Sequence, residues 1–391
     1  MTDARPVYPG LDTLRAIAAL AVVVTHVGFQ TGFYGSGALG AAVAHLDLGV
    51  AVFFVLSGFL LTRPYLVAAH GGRPADRAGR FYVKRALRIV PVYAVSVVAA
   101  LVLLDQPRPV TPELLLRHAT FTQVYSAEGL PAGLTQMWSL ATEVAFYVLL
   151  PVLCWLATRP LARRLPRVPL ACAMAVGVSV AWNAGLGSVV GGQAQPNLWL
   201  PAFAGWFAVG IALAWVTVVP SAKSRPWVAT VLVAARRPGA CWLLALAIFV
   251  VVCTPVGGPL GLILADPSQA VARNLAYTAI SGLVVLPAVL GPTTGVYARA
   301  FALPVLRHLG HISYSVFCCH LIVLDLAFEL MGTEPFRGGF WAVLAVTVLL
   351  SVAVSEVLYR VVERPALRLK DVGRRHSTAE ASTPRQDAAT S

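Results

Sequence analysis

Ten long apolar segments run through this chain of 391 residues. Each has about the 20 residues that a helix needs to cross the hydrocarbon core of a bilayer. Hydrophobic residues make up 58% of the sequence and charged residues 12%, whereas soluble domains carry about 25% charged residues. We therefore predict an all-α membrane protein, a bundle of about ten transmembrane helices. The predicted spans are 11–29, 46–67, 87–104, 138–157, 168–186, 198–219, 240–257, 274–292, 310–331 and 339–361.

The basic residues are distributed as the positive-inside rule describes. With the N-terminus in the cytoplasm, 26 of the 30 Lys and Arg fall in cytoplasmic segments, and Arg108, Arg117, Arg273 and Arg337 fall outside. This asymmetry predicts that both termini are cytoplasmic. It also accounts for the net charge of +13 without nucleic-acid binding, because no basic run lies on a segment that resembles a soluble domain.

We predict one transmembrane domain over residues 1–370 and a disordered cytoplasmic tail over 371–391, where the sequence is polar. The longest outer loop, 105–137, contains a short segment from Pro112 to His118 that reads as a helix. Loops of this length often carry function. The six cysteines lie in or beside apolar segments without zinc-ligand spacing, so we expect no metal site.

Arg15 and His26 lie eleven residues apart in the first span. At 3.6 residues per turn, their side chains share one helix face, about 16 Å apart along the axis. A cation and an imidazole are costly to bury in a membrane-length helix, so both should face a protein interior or a cavity. His26 is either a general base that acts on a hydroxyl or a partner in an interhelical hydrogen bond, and its position alone favours neither.

Arg85 and Arg88 lie three residues apart at the predicted cytoplasmic end of the third span, so they are neighbours on one helix face. Two guanidinium groups there could bind phosphates with paired hydrogen bonds. They could also extend to the lipid headgroups, as basic side chains near helix ends commonly do. Position alone favours the second interpretation.

Glu143 lies in the fourth span, five residues after Trp138, whose ring suits the outer membrane interface. Five helical residues place the carboxyl group about 8 Å deeper. His26 lies at a similar depth from the same side. Because an unpaired carboxylate inside the membrane is costly, we predict that Glu143 pairs with His26 and orients its ring.

Three further polar residues give weaker signals. Ser57 precedes Gly58 in the second span, and two small residues allow a neighbouring backbone to come close. Packing or substrate positioning is favoured for Ser57 over a nucleophilic role, because no base lies beside it in the sequence. In the ninth span, Tyr314 precedes His320, which lies near mid-membrane.

Taken in order, these motifs resemble the membrane acyltransferase-3 family of bacterial O-acyltransferases. The pieces follow the family's order and span nearly the whole chain. They are Arg15-(ten residues)-His26, Phe53-Phe-Val-Leu-Ser-Gly-Phe59, Arg85-Ala-Leu-Arg88, Trp138-Ser-Leu-Ala-Thr-Glu143 with Phe146-Tyr147, Leu309-Gly-His-Ile-Ser-Tyr314 with His320, and Val362-Glu-Arg-Pro365.

The resemblance implies a multi-pass protein of the bacterial plasma membrane that takes an acyl group, commonly acetyl, from cytoplasmic acyl-CoA. The group passes to a hydroxyl, usually on a sugar, near the outer face. The resemblance makes Arg15 and His26 essential and implies that Arg85 and Arg88 engage coenzyme A. Some family members carry a fused extracytoplasmic SGNH domain, which we do not find here. Whether a separate extracytoplasmic partner protein completes the transfer is therefore open.

We hypothesise that His26, oriented by Glu143, deprotonates the acceptor hydroxyl, whose oxygen then attacks the thioester carbonyl. An acyl-histidine intermediate is the alternative. Acyl-CoA is expected as a co-substrate, with no permanently bound cofactor, and Ser57 joins Arg85 and Arg88 as a candidate for binding it. Trp138, Tyr314 and His320 are further candidates.

Two other functions fit the polar residues. A transporter or flippase would use His26, Glu143 and His320 as a proton relay, although the two halves show no convincing repeat of the kind many transporters have. A non-catalytic assembly partner would tolerate the loss of Arg15 and His26. For an enzyme, the membrane lipid surrounds the site and the acceptor is a carbohydrate, a glycosylated molecule or a secondary metabolite. We predict that loop 105–137 helps to select that acceptor.

Overall fold

The structure is a computed structural model that describes residues 8–71, 78–158, 167–191, 195–219, 225–261 and 265–369. Throughout these ranges the regular secondary structure is helical, and no strand occurs in them. The predicted all-α class is confirmed. The tail over 371–391, predicted to be disordered, lies outside the described residues.

Fifteen α-helices make up the described part of the chain, and short 3₁₀ or π turns join several of them. They are α1 (Pro9–Gln30), α2 (Gly37–Ala44), α3 (Gly49–His70), α4 (Ala78–Leu103), α5 (Pro112–Ala119), α6 (Met137–Thr158), α7 (Val168–Ala181), α8 (Gly187–Gly191), α9 (Leu200–Val218), α10 (Pro226–Ala235), α11 (Pro238–Val252), α12 (Pro267–Leu290), α13 (Gly295–Phe301), α14 (Pro304–Met331) and α15 (Phe340–Leu358). A π turn, Tyr359–Glu363, continues α15 into a final helical segment that ends at residue 369.

Nine helical stretches in the described ranges are long and apolar enough to cross a membrane. The bent pair α10–α11 makes a tenth if it counts as one span. Each of the ten stretches overlaps one predicted span. A multi-pass membrane protein is therefore confirmed, while the cytoplasmic placement of both termini stays a prediction.

The seventh span differs from its predicted form, a single segment over 240–257. α10 and α11 meet at an angle of 97°. Arg236 and Arg237 separate them, and Pro238 begins α11. Proline lacks the backbone N–H that a continuous helix would need and disfavours the helical conformation in the residue before it. The apolar stretch is therefore two short helices with a sharp corner between them.

Loop 105–137 contains the short helix that its sequence predicts. Thr111 Oγ1 caps α5 by accepting a hydrogen bond from the backbone N–H of Leu114 at 3.1 Å. At the other end, His118 is buried and its carbonyl oxygen accepts from the Tyr93 hydroxyl at 3.0 Å. Burial lowers the pKa of His118, because the charged ring would lose its hydration. The backbone of His118 thus helps to hold this loop against α4.

Glycines set the closest helix contacts of the bundle. A Cβ atom added to Gly310 of α14 would lie 2.0 Å from the Asp12 carbonyl oxygen of α1, and one on Gly58 of α3 would lie 2.3 Å from the Phe207 carbonyl oxygen of α9. The close backbone approach expected beside Ser57 is thereby confirmed. Small residues at such crossings let two backbones pack directly in a membrane. α1 is in this way held against α14, and α3 against α9.

Gly210 provides a test of this packing away from the polar residues. A Cβ atom there would lie 2.0 Å from the Val55 carbonyl oxygen and 2.6 Å from the Phe59 nitrogen. We expect Gly210→Ala to force α9 from α3 and to destabilise the protein by about 1–3 kcal/mol, as overpacked cores do. Thermal unfolding in detergent or nanodiscs measures this change. Gly177→Ala is the matched control, because a Cβ atom on that helical glycine meets open space. Equal Tm values for the two variants would contradict the packing described here.

Candidate active site

A cavity of about 120 Å³ lies among five helices, α1, α3, α4, α6 and α14. Six of the nine candidate residues line it: Arg15, Ser57, Arg85, Arg88, Glu143 and Tyr314. The other three, His26, His320 and Trp138, are not part of its wall. The bundle thus gathers most of the predicted site in one chamber and leaves the two histidines beyond it.

Two of the three cavity arginines are paired with carboxylates. Arg15 Nη1 donates to Asp12 Oδ1 at 2.8 Å, from three residues along the same helix. Arg88 Nη1 donates to the carboxylate of Glu363, which is 1% exposed and also accepts from Ser315 Oγ at 2.8 Å. A carboxylate buried so deeply requires its cation, because an unpaired charge there is strongly destabilising. Arg88 therefore serves the fold by neutralising Glu363.

Arg85 differs from the other two arginines. Over the described ranges it takes part in no ion pair within 4.0 Å, and its buried Nε has no hydrogen-bond partner. Its neighbour in the cavity, Glu143, accepts instead from the hydroxyl of Ser57. A guanidinium group whose donors are unused is suited to binding the oxygens of a phosphate.

Tyr314 holds Arg88 in position. The guanidinium carbon of Arg88 lies 5.6 Å from the centroid of the Tyr314 ring, a cation–π distance. The hydroxyl of Tyr314 is already used, because it donates to the Ile89 carbonyl oxygen at 2.7 Å. Its ring, rather than its hydroxyl, is therefore the part of Tyr314 that acts on the charged group.

The predicted pair between Glu143 and His26 is wrong in this structure. The carboxylate of Glu143 accepts from Ser57 on α3, inside the chamber that Arg15 also lines. His26 does not line that chamber, and its ring nitrogen bonds to His320. Similar depth along two helices left open which way each side chain points around its helix, and here the two face different neighbours.

The two histidines form a pair of their own. His26 Nδ1 lies 2.8 Å from the Val22 carbonyl oxygen and 3.1 Å from His320 Nε2. His320 Nδ1 lies 2.9 Å from the Phe317 carbonyl oxygen. Because a carbonyl oxygen can only accept, each Nδ1 atom carries the hydrogen. In the neutral pair, the single hydrogen on His26 Nδ1 is therefore shared between two acceptors, the Val22 carbonyl oxygen and His320 Nε2.

This arrangement leaves one unused basic nitrogen. His320 is fully buried, and its Nε2 lone pair is directed at His26. His26 Nε2 carries no hydrogen in the neutral ring and makes no hydrogen bond with any described residue. A neutral imidazole with a free lone pair is the form in which a histidine can accept a proton from a hydroxyl.

The remaining candidate, Trp138, lies in an aromatic part of the core. Its ring centroid is 5.1 Å from that of Phe203, and it contacts the apolar cluster that contains Met137 and Trp206. Its indole N–H makes no hydrogen bond with the described residues. Trp138 is thus a packing residue here.

Sequence reasoning assigned no role to the carboxylates that neutralise the arginines. Asp12 could have been found, because residues three apart on a helix are neighbours. Glu363 lies 275 residues from Arg88, and no local pattern connects them. A second polar cluster was also missed: His45 Nδ1 lies 2.9 Å from the Tyr277 hydroxyl, which donates to Asp47.

Comparison with known proteins agrees with the arrangement of these residues along the chain. Residues 8–360 match the family model for the acyltransferase domain, Acyltransferase 3, a range that includes all nine candidate residues. The acyltransferase MdmB of Streptomyces mycarofaciens is 27% identical over 414 aligned positions, which cover 97% of this chain and 96% of that protein. The peptidoglycan O-acetyltransferase OatA of Listeria monocytogenes is 28% identical over 161 positions, which cover 38% of this chain and 24% of that protein. No solved structure matches the chain.

The family model and the relative from Streptomyces mycarofaciens both extend over nearly the whole transmembrane bundle. The bundle itself carries the ordered set of polar motifs, and most of their side chains line one chamber. This chain therefore belongs to the membrane acyltransferase-3 family.

Proposed function

We propose that this membrane acyltransferase moves a short acyl group, acetyl in the simplest case, from acyl-CoA to a hydroxyl of a carbohydrate, glycosylated or secondary-metabolite acceptor. One observation carries the proposal: Arg85, whose guanidinium makes no ion pair with the described residues, lines a chamber beside a histidine whose Nε2 makes no hydrogen bond with them. Cations suit the phosphates of coenzyme A, and the free lone pair suits a hydroxyl. The name of the Listeria relative, a peptidoglycan O-acetyltransferase, supports a carbohydrate acceptor.

In the proposed reaction, Arg85 binds a phosphate of acyl-CoA and the thioester reaches toward His26. His26 Nε2 takes the proton of the acceptor hydroxyl while that oxygen attacks the carbonyl carbon of the thioester. The carbon–sulfur bond then breaks, and the thiolate of coenzyme A takes the proton back from the imidazolium. His320 assists by accepting from His26 Nδ1–H, which keeps Nε2 as the basic atom.

The proton-relay function of a transporter has weaker support. It requires a chain from His26 through His320 to Glu143, but the carboxylate of Glu143 accepts from Ser57 in the arginine chamber. Membership of an acyltransferase family also favours the enzyme.

Removal of the base should abolish transfer without weakening donor binding. We expect His26→Gln to lower kcat by roughly 10²–10⁴-fold, the usual contribution of general acid–base catalysis, with the KM for acetyl-CoA little changed. Incorporation of label from radiolabelled acetyl-CoA into glycans and metabolites of membranes from producing cells measures the rate. The control is His308→Gln, because His308 is an exposed partner of Glu356 outside the chamber. A His26→Gln protein with normal transfer would refute the mechanism.

The two arginines of α4 should differ in role: Arg85 binds the donor, and Arg88 stabilises the fold. We expect Arg85→Gln to raise the KM for acetyl-CoA by roughly ten- to a hundredfold with kcat unchanged, because a hydrogen bond to a charged group contributes about 1.5–3 kcal/mol. Arg88→Gln should instead lower stability by about 3–5 kcal/mol, because it leaves the buried Glu363 unpaired. Steady-state kinetics and thermal unfolding distinguish the two effects.

The matched control for Arg88 is the double variant Arg88→Gln/Glu363→Gln, which removes both charges of the pair. We expect it to regain most of the lost Tm, since no uncompensated charge remains. If Arg88→Gln were as stable as wild type and raised the KM as much as Arg85→Gln, the two arginines would share one role. The division into a binding Arg85 and a stabilising Arg88 would then be wrong.

A further inference from the structure

The arginine chamber ends at two phenylalanines. Phe53 is the first cavity residue of α3, which begins at Gly49, and Phe317 is the last cavity residue of α14. Their ring centroids lie 6.1 Å apart with the planes at 71°, an edge-to-face contact. The two rings form an aromatic wall on the side of the chamber that is nearest the histidines.

The histidine pair begins directly behind this wall. Phe317 and His320 are three residues apart on α14, so one helical turn of about 4.5–5.4 Å separates them along the axis. Their ring centroids lie 6.0 Å apart. Phe317 therefore touches the chamber on one side and the partner of His26 on the other.

Phe53 likewise lies between separate parts of the core. It is partly buried and packs against all three apolar clusters of the core, including the one that contains Phe317 and the one that contains Val23 and Val27 of α1. A side chain that lies between clusters and is only partly buried can change rotamer more readily than one fixed inside a single cluster. Its neighbour Phe54 is in the opposite situation, 1% exposed and stacked on Phe207 at 4.5 Å.

We propose that Phe53 and Phe317 form a gate between the arginine chamber and His26, and that this gate limits the size of the acyl group. The proposal rests on the proposed function, since it assumes that acyl-CoA occupies the chamber. An acyl group held by its coenzyme among the arginines reaches His26 Nε2 only if the two rings separate. A small acyl chain needs a small displacement of the rings, and each added methylene requires more.

The gate also has a chemical consequence for water. In its closed state, the aromatic rings keep water from the path between the thioester and the basic nitrogen. Without that barrier, His26 could activate water in place of the acceptor: the water oxygen attacks the thioester carbon, the carbon–sulfur bond breaks, and free carboxylic acid and CoA thiol are released. Exclusion of water from reactive intermediates is a recognised task of closed active sites.

The test uses the full chain in nanodiscs with acetyl-, butyryl- and isovaleryl-CoA. For Phe53→Leu and Phe317→Leu, we expect the ratio of kcat/KM for butyryl-CoA to that for acetyl-CoA to rise about tenfold, the lower range for one or two methylenes in an apolar pocket. Release of CoA thiol without acceptor should rise in the same variants. Phe317→Trp, with a larger ring, should shift the ratio in the opposite direction.

Phe54→Leu is the matched control, because it removes a ring of the same size from the next position on α3 but outside the chamber. We expect it to lower Tm while the acyl-chain ratio stays at the wild-type value. If the gate variants fold but keep the wild-type ratio and the wild-type rate of CoA release, the gate is refuted and the two rings only pack the core. If a leucine variant fails to fold, Phe317→Trp decides by the same ratio. If the wild-type protein consumes no acyl-CoA, the proposed function itself is refuted. This outcome is distinct from failure of the gate alone.

Discussion

The compensation of buried charge governs the arrangement of this bundle. Arginine side chains inside a membrane protein are tolerated only where counter-charges or a polar cavity meet them. Arg88 meets Glu363, and this pair ties α4 to the π turn after α15 across 275 residues of sequence. Arg15 meets Asp12 within α1. Arg85 shares the chamber with the carboxylate of Glu143 but makes no ion pair within 4.0 Å in the described ranges, so its hydrogen-bond donors remain open to a bound anion.

Hydrogen-bond partners likewise determine which nitrogen of each histidine carries its hydrogen. The Val22 and Phe317 carbonyl oxygens lie against the two Nδ1 atoms, and this fixes both tautomers. The Val22 carbonyl oxygen in this way leaves Nε2 as the basic nitrogen of His26. The catalytic hypothesis for His26 thus depends on the contact between α1 and α14, which in turn depends on the direct backbone packing at Gly310.

Much of the fold follows from the sequence, because hydropathy and loop charge are averaged over many residues. The ten spans were predicted in that way. In α10–α11 the sequence Arg236-Arg237-Pro238 itself indicates a break, because it places two charges and a proline between two apolar helices. The eleven-residue spacing of Arg15 and His26 also predicted that both lie on one face of α1. In the structure, Arg15 lines the chamber to which α14 contributes, and His26 bonds to His320 of α14. Local periodicity was sufficient for these features.

The pairings between helices were not predictable by the same means. Glu143 and His26 were matched by depth, but depth leaves the rotation of each helix undetermined, and Ser57 is the partner that α3 presents to Glu143. The role of Glu363 required knowledge of which helices are neighbours. Such contacts depend on the whole packing of the bundle, and a single sequence without its fold contains no measure of them.

The arginine chamber and the histidine pair are separated along the axis of α1, and this separation does not depend on which way the protein is oriented in the membrane. Arg15 and His26 lie on one helix, about 16 Å apart along its axis, so the arginine chamber and the histidine pair lie at different depths whichever terminus faces the cytoplasm. A soluble donor and a hydroxyl acceptor can then approach from opposite sides of the bilayer. A closed aromatic wall between the two depths would keep the membrane sealed while neither is bound. In the reaction proposed above, only the acyl group would need to move through the bundle, while coenzyme and acceptor remain on their own sides.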